Sequence, residues 1–205
     1  MIQAVIFDIG GVLIRTEDVA PRRRLEQRLA LEPGEAEYIV FNSPMGQRAQ
    51  LGEITAAHLW RWVQRELELG DFALAEFQRD FFAGDKLDDG LMDYIRRLKS
   101  GYQLAIISNA KDDLDKTMKE IDPDGNLFEL VVGSAYERVM KPNVAIFQRT
   151  LERLQRQPRE TIFIDDFLHN VEGARAMGMN AIHFQSGIDL PEALAQFGVE
   201  PERGN

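Results

Sequence analysis

The chain has no cysteine among its 205 residues. That excludes thiol nucleophiles, disulfides and cysteine-based zinc sites, and it fits a reducing compartment. Basic charge is scarce too, with 24 Lys and Arg against 34 Asp and Glu and a formal charge of −10 at pH 7. Nucleic-acid binding needs a basic face to displace phosphate counterions, so no nucleic-acid partner is expected. No apolar run approaches the roughly 18 residues of a membrane helix, so no membrane partner is expected either. The apolar stretch in MIQAVIFDIGG has no basic residues ahead of it and reads as a strand rather than a secretory signal, so the expected location is the cytoplasm. The length suits one ordinary domain with a modest insertion.

Apolar rhythm divides the chain. Ala4 to Phe7 is a short apolar run that ends in Asp8 and then Gly10-Gly11, the pattern of a buried strand breaking into a tight turn. From residue 15 to 84 helical periodicity dominates, over Arg22 to Leu31, Thr55 to Leu69 and Leu74 to Phe82. Tyr38 to Phe41 is ambiguous between strand and helix. Beyond Gly84 helices alternate with short apolar strands at Gln103 to Ile107, Leu130 to Val132, Thr161 to Ile164 and Ala181-Ile182. Strands apolar throughout and separated by helices predict a parallel sheet covered on both faces. The expected fold is therefore α/β, a doubly wound parallel sheet formed by residues 1–14 and 85–205. Residues 15–84 form an inserted helical cap domain.

Ligands of such sheets bind at the carboxyl ends of the strands. Asp8 ends the first strand, Ser108 and Asn109 follow the second, and Asp165 and Asp166 end a later one; Lys141-Pro142 opens the helix before it. Any one of these reads as a cap or a turn. Together they put a carboxylate, a hydroxyl, an amide, an ammonium and a carboxylate pair on one edge.

These pieces resemble the haloacid dehalogenase superfamily of Asp-nucleophile hydrolases. FDIGGVL (Phe7 to Leu13), IISNA (Ile106 to Ala110), MKP (Met140 to Pro142) and FIDDFLHNVEGARAMGM (Phe163 to Met179) are similar to its four motifs. Within the superfamily, GQRAQLGEIT (Gly46 to Thr55) and DDFLHN resemble bacterial glucose-1-phosphatase-like proteins and the phosphatase half of soluble epoxide hydrolases. The resemblance implies a Rossmann-like core and a magnesium-dependent phosphatase acting on a small phosphorylated metabolite, with a sugar-1-phosphate favoured. It implies Asp8 as nucleophile and Lys141 as the cation that neutralises both Asp8 and the phosphoryl group. Ser108 and the backbone or side-chain amide of Asn109 would hold phosphate oxygens. Magnesium would be held by Asp8, the carbonyl of Gly10, and Asp166, with Asp165 and Asn170 supporting those ligands. Asp166 is preferred to Asp165 because its interval to Gly178 matches the family's spacing.

One position departs from the common pattern. Where many of these phosphatases carry an acid two residues after the nucleophile, this chain has Gly10. Side-chain acid–base catalysis contributes roughly 10²–10⁴-fold, so a substitute is sought in His169, Glu17, Asp18 or ordered water. Set against these are plainer readings: His169 as a solvent-exposed loop residue, His58, Trp60 and Trp62 as packing within the cap, and His183 as structural. Asp122 to Asn126 reads as a turn, Asp112, Asp113 and Asp115 as a helix start, and Arg22-Arg23-Arg24 as a solvated helix end rather than an anion contact. Two alternatives to a phosphatase stand beside it. One is a 2-haloacid dehalogenase, in which Asp8 attacks carbon without metal; the other is a catalytically weak binding or regulatory protein. The oligomeric state is left open between monomer and dimer.

Overall fold

In the computed structural model, residues 1–201 are described, so the last four residues of the expected 85–205 span lie outside the described residues. The chain opens with β1 (Ala4–Phe7) and turns through Gly10-Gly11 into β2 (Ile14–Thr16). Five helices follow: α1 (Ala20–Arg28), α2 (Glu35–Glu37), α3 (Pro44–Gln50), α4 (Ala56–Glu66) and α5 (Asp71–Phe82). A second short strand, β3 (Asp85–Leu87), pairs antiparallel with β2 and returns the chain to where the helices began. Then come α6 (Asp89–Leu98), β4 (Gln103–Ser108), α7 (Leu114–Ile121), β5 (Leu130–Gly133), α8 (Ser134–Glu137) and α9 (Val144–Leu154). The chain continues through β6 (Thr161–Asp165), α10 (Leu168–Ala176), β7 (Asn180–His183) and α11 (Leu190–Ala195).

The main sheet is parallel, in the order β5-β4-β1-β6-β7. Its strands alternate between two cores. Val5 and Phe7 join Leu104, Ile106, Ile162 and Ile164 on one face, packed against α6 and α7 residues such as Met92, Ile95 and Ile121. Ala4 and Ile6 join Ala105, Ile107 and Phe163 on the other, under Phe147 and Leu151 of α9 and Val171 of α10. Both faces are covered, which is why the strands are apolar at consecutive positions through their middles and not at alternate ones. The α/β, doubly wound parallel sheet expected from the sequence is the fold observed.

Helices α1 to α5 enclose a third apolar cluster that includes Leu25, Val40, Leu59, Val63, Phe77 and Phe81. Local chemistry sets their starts. Ser43 Oγ accepts from Gly46 N–H ahead of α3, with Pro44 pre-set at the first helical position, and Thr55 Oγ1 accepts from His58 N–H ahead of α4. The ambiguous Tyr38 to Phe41 stretch is a wide π-type helical turn, Tyr38–Asn42. Arg22, read as solvated, lies 4.3 Å from the Phe81 ring centroid and pairs with Asp85 and Glu37, while Arg23 and Arg24 are exposed.

This helical unit rests on the carboxyl edge of the sheet. Asp112 Oδ1, in the loop after β4, accepts from Ala56 N–H at 2.7 Å, and Ser134 Oγ, after β5, donates to Gln50 O at 2.6 Å.

Candidate functional site

Strand order reverses at β1: the chain builds outward through β4 and β5, then crosses back to β6 and β7 on the other side. Carboxyl ends of strands at such a reversal are where open α/β sheets bind ligands. Here that position is occupied by Asp8, one residue beyond β1, and by Asp165 and Asp166 at the end of β6.

Lys141 organises them. Its side chain is fully enclosed, and its ammonium donates to Asp165 Oδ2 at 2.7 Å and Ile107 O at 3.0 Å and lies 2.8 Å from Asp8 Oδ2. All three of its protons therefore have partners. Asp8 Oδ1 accepts from Ile9 N–H at 2.7 Å. Asp165, wholly buried, accepts from Phe167 N–H at 2.8 Å and from Asn170 Nδ2 at 3.0 and 3.1 Å. Asp165 is thus saturated by its neighbours. Asp166 is not: it is half-buried, and its Oδ1 is shut from solvent with no hydrogen-bond partner, as is Asn170 Oδ1.

Carboxylate oxygens of Asp8, Asp165 and Asp166 lie within 4.8 Å of one another. With three carboxylates around one ammonium, the cluster has an excess of negative charge in a poorly solvated place. Burial accordingly pushes the Asp8 carboxyl up to about 7, against the attraction of Lys141 and with Asp165 adding repulsion. Burial and the charge of Asp165 push Asp166 up to about 6. Burial alone would lower the Lys141 ammonium, but Asp8 and Asp165 outweigh it and hold it above its ordinary value. A hard divalent cation fits this set: it takes oxygen ligands, it would offset the excess charge, and Asp166 Oδ1 stands without a partner to receive it.

The glycines beside Asp8 have opposite characters. Gly11 has φ +73°, and a Cβ there would lie 2.1 Å from Asp166 Oδ2, so only glycine lets this turn pass against the carboxylate. Gly10 is exposed, and a Cβ there would meet nothing within 4 Å.

Ser108 is buried at the end of β4, and its hydroxyl makes no hydrogen bond among the described residues. The Asn109 side chain grips the backbone of Lys141 at both ends, Oδ1 accepting from Lys141 N–H at 2.9 Å and Nδ2 donating to Lys141 O at 3.1 Å. The Oδ1 acceptor and one Nδ2 proton are therefore committed, and the orientation of the side chain is fixed by the Lys141 backbone.

Among residues considered as substitutes for the acid missing at Gly10, Glu17 pairs with Lys86 at 3.2 Å and Asp18 Oδ1 caps Ala20 N–H at 2.9 Å. His169 is exposed, beside the Phe167 ring. Trp60 packs edge-on to Phe77 and Phe82, and His58 is exposed. His183 Nε2 lies 2.9 Å from Asp166 O. Asp122 accepts from Asn126, Leu127 and Phe128 N–H and closes a turn. Lys111, Ser134 and Asp112, none of which stood out in the sequence as functional, tie the loops of this edge to the helical unit. A surface hollow of about 490 Å³ lined by Gln148, Leu151, Arg156 and Pro158 adjoins the turn that enters β6, at the opposite end of the sheet from the carboxylates.

A family model described as haloacid dehalogenase-like hydrolase matches residues 2–178. The chain belongs to this family. Among its relatives, it is 24% identical over 195 residues to a sesquiterpene phosphatase of Aspergillus oryzae, with 95% of each chain covered. It is 26% identical to the bifunctional epoxide hydrolase 2 of Rattus norvegicus, covering 88% of this chain but only 36% of that longer protein. A haloacid dehalogenase family enzyme of Bacteroides thetaiotaomicron, solved with magnesium and inorganic phosphate, superposes with a TM-score of 0.79 at 20% identity, covering 94% of this chain and 99% of that one. The chain is thus a haloacid dehalogenase-like hydrolase, and among the described residues no helix is long and apolar enough to cross a membrane.

Proposed function

We propose that this hydrolase is a magnesium-dependent phosphatase of small phosphorylated metabolites that works through an aspartyl-phosphate on Asp8. The observation that carries the reading is the Lys141 ammonium bonded between Asp8 and Asp165, with Asp166 Oδ1 beside them and without a partner. Asp8, Asp166 and the Gly10 carbonyl would hold magnesium, which supplies charge neutralisation of the phosphate dianion.

The chain's own groups divide the work. An Asp8 oxygen attacks phosphorus, the bond from phosphorus to the ester oxygen breaks, and water then attacks the aspartyl-phosphate to release phosphate and regenerate Asp8. Lys141 offsets charge on both Asp8 and the phosphoryl oxygens, and its bond to Asp165 fixes where it stands. The Ser108 hydroxyl and the Asn109 backbone N–H are donors for the equatorial oxygens. Asn170 and Phe167 N–H keep Asp165 turned toward Lys141 and leave Asp166 for the metal. Residues 15–84 act as a helical cap over a core of residues 1–14 and 85–205, a division supported by the separate apolar cluster of α1 to α5.

Gly10 supplies no proton to the leaving oxygen, and Glu17 and Asp18 are engaged elsewhere. Leaving groups already stable as anions are therefore favoured, a sugar-1-phosphate or an acyl phosphate over a primary-alcohol ester. A solved 2-haloacid dehalogenase of Pseudomonas syringae shares the fold. Against that chemistry here is Asp166 Oδ1, a buried acceptor without a partner, which suits a cation and not the carboxylate of a haloacid. Hydrolysis of a sugar-1-phosphate or acetyl phosphate, dependent on magnesium and abolished in Asp8→Asn, is the expected result. Halide release from haloacids without magnesium would overturn the reading.

A further inference from the structure

The loop between β4 and α7 carries a cation that the proposed phosphoryl chemistry does not use. Lys111, two residues beyond Asn109, is half-buried, and its ammonium lies 5.4 Å from the Phe41 ring centroid and 6.0 Å from that of Trp60. Both rings belong to the helical unit. Contact with ring faces stabilises a cation by roughly 0.5–2 kcal/mol, but it satisfies none of the three N–H donors. Among the described residues no hydrogen-bond acceptor engages Lys111 Nζ, and no carboxylate lies within 4.0 Å of it. Burial draws the ammonium below its ordinary range, with Asp113 and Asp112 offsetting only part of that. Arg22, Arg48 and Lys141 are by contrast each paired with carboxylates: Arg22 with Asp85 and Glu37, Arg48 with Glu53, and Lys141 with Asp8 and Asp165.

Direction matters as much as charge. Asp8 stands at the edge of the sheet, and an in-line displacement puts the leaving oxygen on the far side of phosphorus from it. The leaving portion of the substrate therefore projects away from the sheet. What stands there is the helical unit, held to the same loop by Asp112 and Ala56 and to the next by Ser134 and Gln50. Lys111, Phe41 and Trp60 meet at that seam.

We propose that Lys111 is a substrate-selecting residue whose ammonium binds an anionic oxygen group, a carboxylate or a second phosphate, at the far end of the leaving portion. Phe41 and Trp60 hold the ammonium in place from the helical side. This rests on the phosphatase reading, and it adds to it: bond strength at phosphorus decides how readily the leaving group departs, while Lys111 reads its distal end. A half-desolvated ammonium gains far more from a charged acceptor than from a hydroxyl, because charge-assisted hydrogen bonds are roughly twice as strong as neutral ones. The competing role is that of a strut, with Lys111 only pinning the helical unit through its ring contacts.

The two roles separate in a substrate series. The test compares kcat/KM for ω-carboxyalkyl phosphates and alkanediol bisphosphates with that for the alkyl phosphate of equal chain length, in the native protein, Lys111→Met and Lys111→Arg. The expected native preference for the anionic esters is roughly ten- to hundredfold at the best chain length. Lys111→Met loses it while the plain alkyl phosphates stay within about twofold, and Lys111→Arg keeps part of it. The anionic series that responds identifies the group. An equal loss across all esters in Lys111→Met, or no preference in the native protein, would overturn the proposal. Acetyl phosphate hydrolysis, lost in Asp8→Asn, reports separately on the phosphatase reading. Should no phosphate ester turn over, calorimetric binding of the same esters to the native and Lys111→Met proteins still decides it. Stronger binding of the anionic member that Lys111→Met abolishes supports the assignment, and equal binding refutes it.

Discussion

Replacing Gly11 by alanine puts one methyl group against the metal-binding edge, and the size of its effect follows from two local facts. Backbone at φ +73° disfavours any residue with a Cβ by roughly 1–2 kcal/mol. The new carbon would also lie 2.1 Å from Asp166 Oδ2 and 2.3 Å from its Cγ, well inside contact distance, so the Asp166 carboxylate must move. Strain and displacement together should cost about 2–3 kcal/mol. For a chain of this length that is a fall in Tm of roughly 4–12 °C. Displacing a carboxylate ligand should cost more than the 10–100-fold in metal affinity typical of losing a supporting partner. Gly10→Ala is the control, because its Cβ enters open space and its backbone carbonyl is unchanged. It should shift stability by no more than about 0.5 kcal/mol and leave magnesium affinity nearly unaltered. Thermal unfolding and calorimetric magnesium titration of both variants measure this. If Gly11→Ala bound magnesium as tightly as the native protein, Asp166 would not be a ligand held against that turn.

Three further outcomes follow from the same edge. Asp166→Asn should weaken magnesium binding more than Asp165→Asn, because Asp165 is already saturated by Lys141, Phe167 N–H and Asn170 whereas Asp166 Oδ1 is free; calorimetric titration giving the reverse order would exchange their assignments. Asp8 and Asp166 both titrate above their unfolded value of 3.8, at about 7 and about 6, so the metal-free fold binds protons that the unfolded chain has released. Their contribution to metal-free stability therefore falls as pH rises from about 4 to 7. Magnesium affinity should rise over the upper part of that window, with proton release seen as a buffer-dependent binding enthalpy; affinity flat from pH 5 to pH 8 would contradict the shifts. Gly10→Asp, whose Cβ would meet nothing within 4 Å, should raise kcat/KM mainly for esters with poor leaving groups, and a uniform change across a leaving-group series would mean that another residue already supplies the proton.

Much of this edge is legible in the sequence because burial on both faces makes β1, β4 and β6 continuously apolar, and each run ends in a polar residue that can only be a turn or a site. The short β2 and β3 are not legible: Ile14–Thr16 and Asp85–Leu87 have three residues each, two of every three charged or polar, and they exist because the chain must leave and re-enter the sheet there. The grip of the Asn109 side chain on the Lys141 backbone is not legible either, since only the fold brings the two together across 32 residues. Gly10-Gly11 reads simply as a turn; that Gly11 is pressed on a carboxylate 155 residues away has no local signature. Lys111 lacks one for the same reason, because its ring contacts come from Phe41 and Trp60 in the helical unit.

The claim on which the rest depends is that Asp8 attacks phosphorus. A magnesium-loaded single turnover of acetyl phosphate or a sugar-1-phosphate, quenched in acid and followed by peptide mass spectrometry, tests it directly. A phosphoryl group is expected on the peptide that carries Asp8, absent from Asp8→Asn together with turnover. Steady hydrolysis with that peptide never modified, and with Asp8→Asn close to native activity, would contradict it.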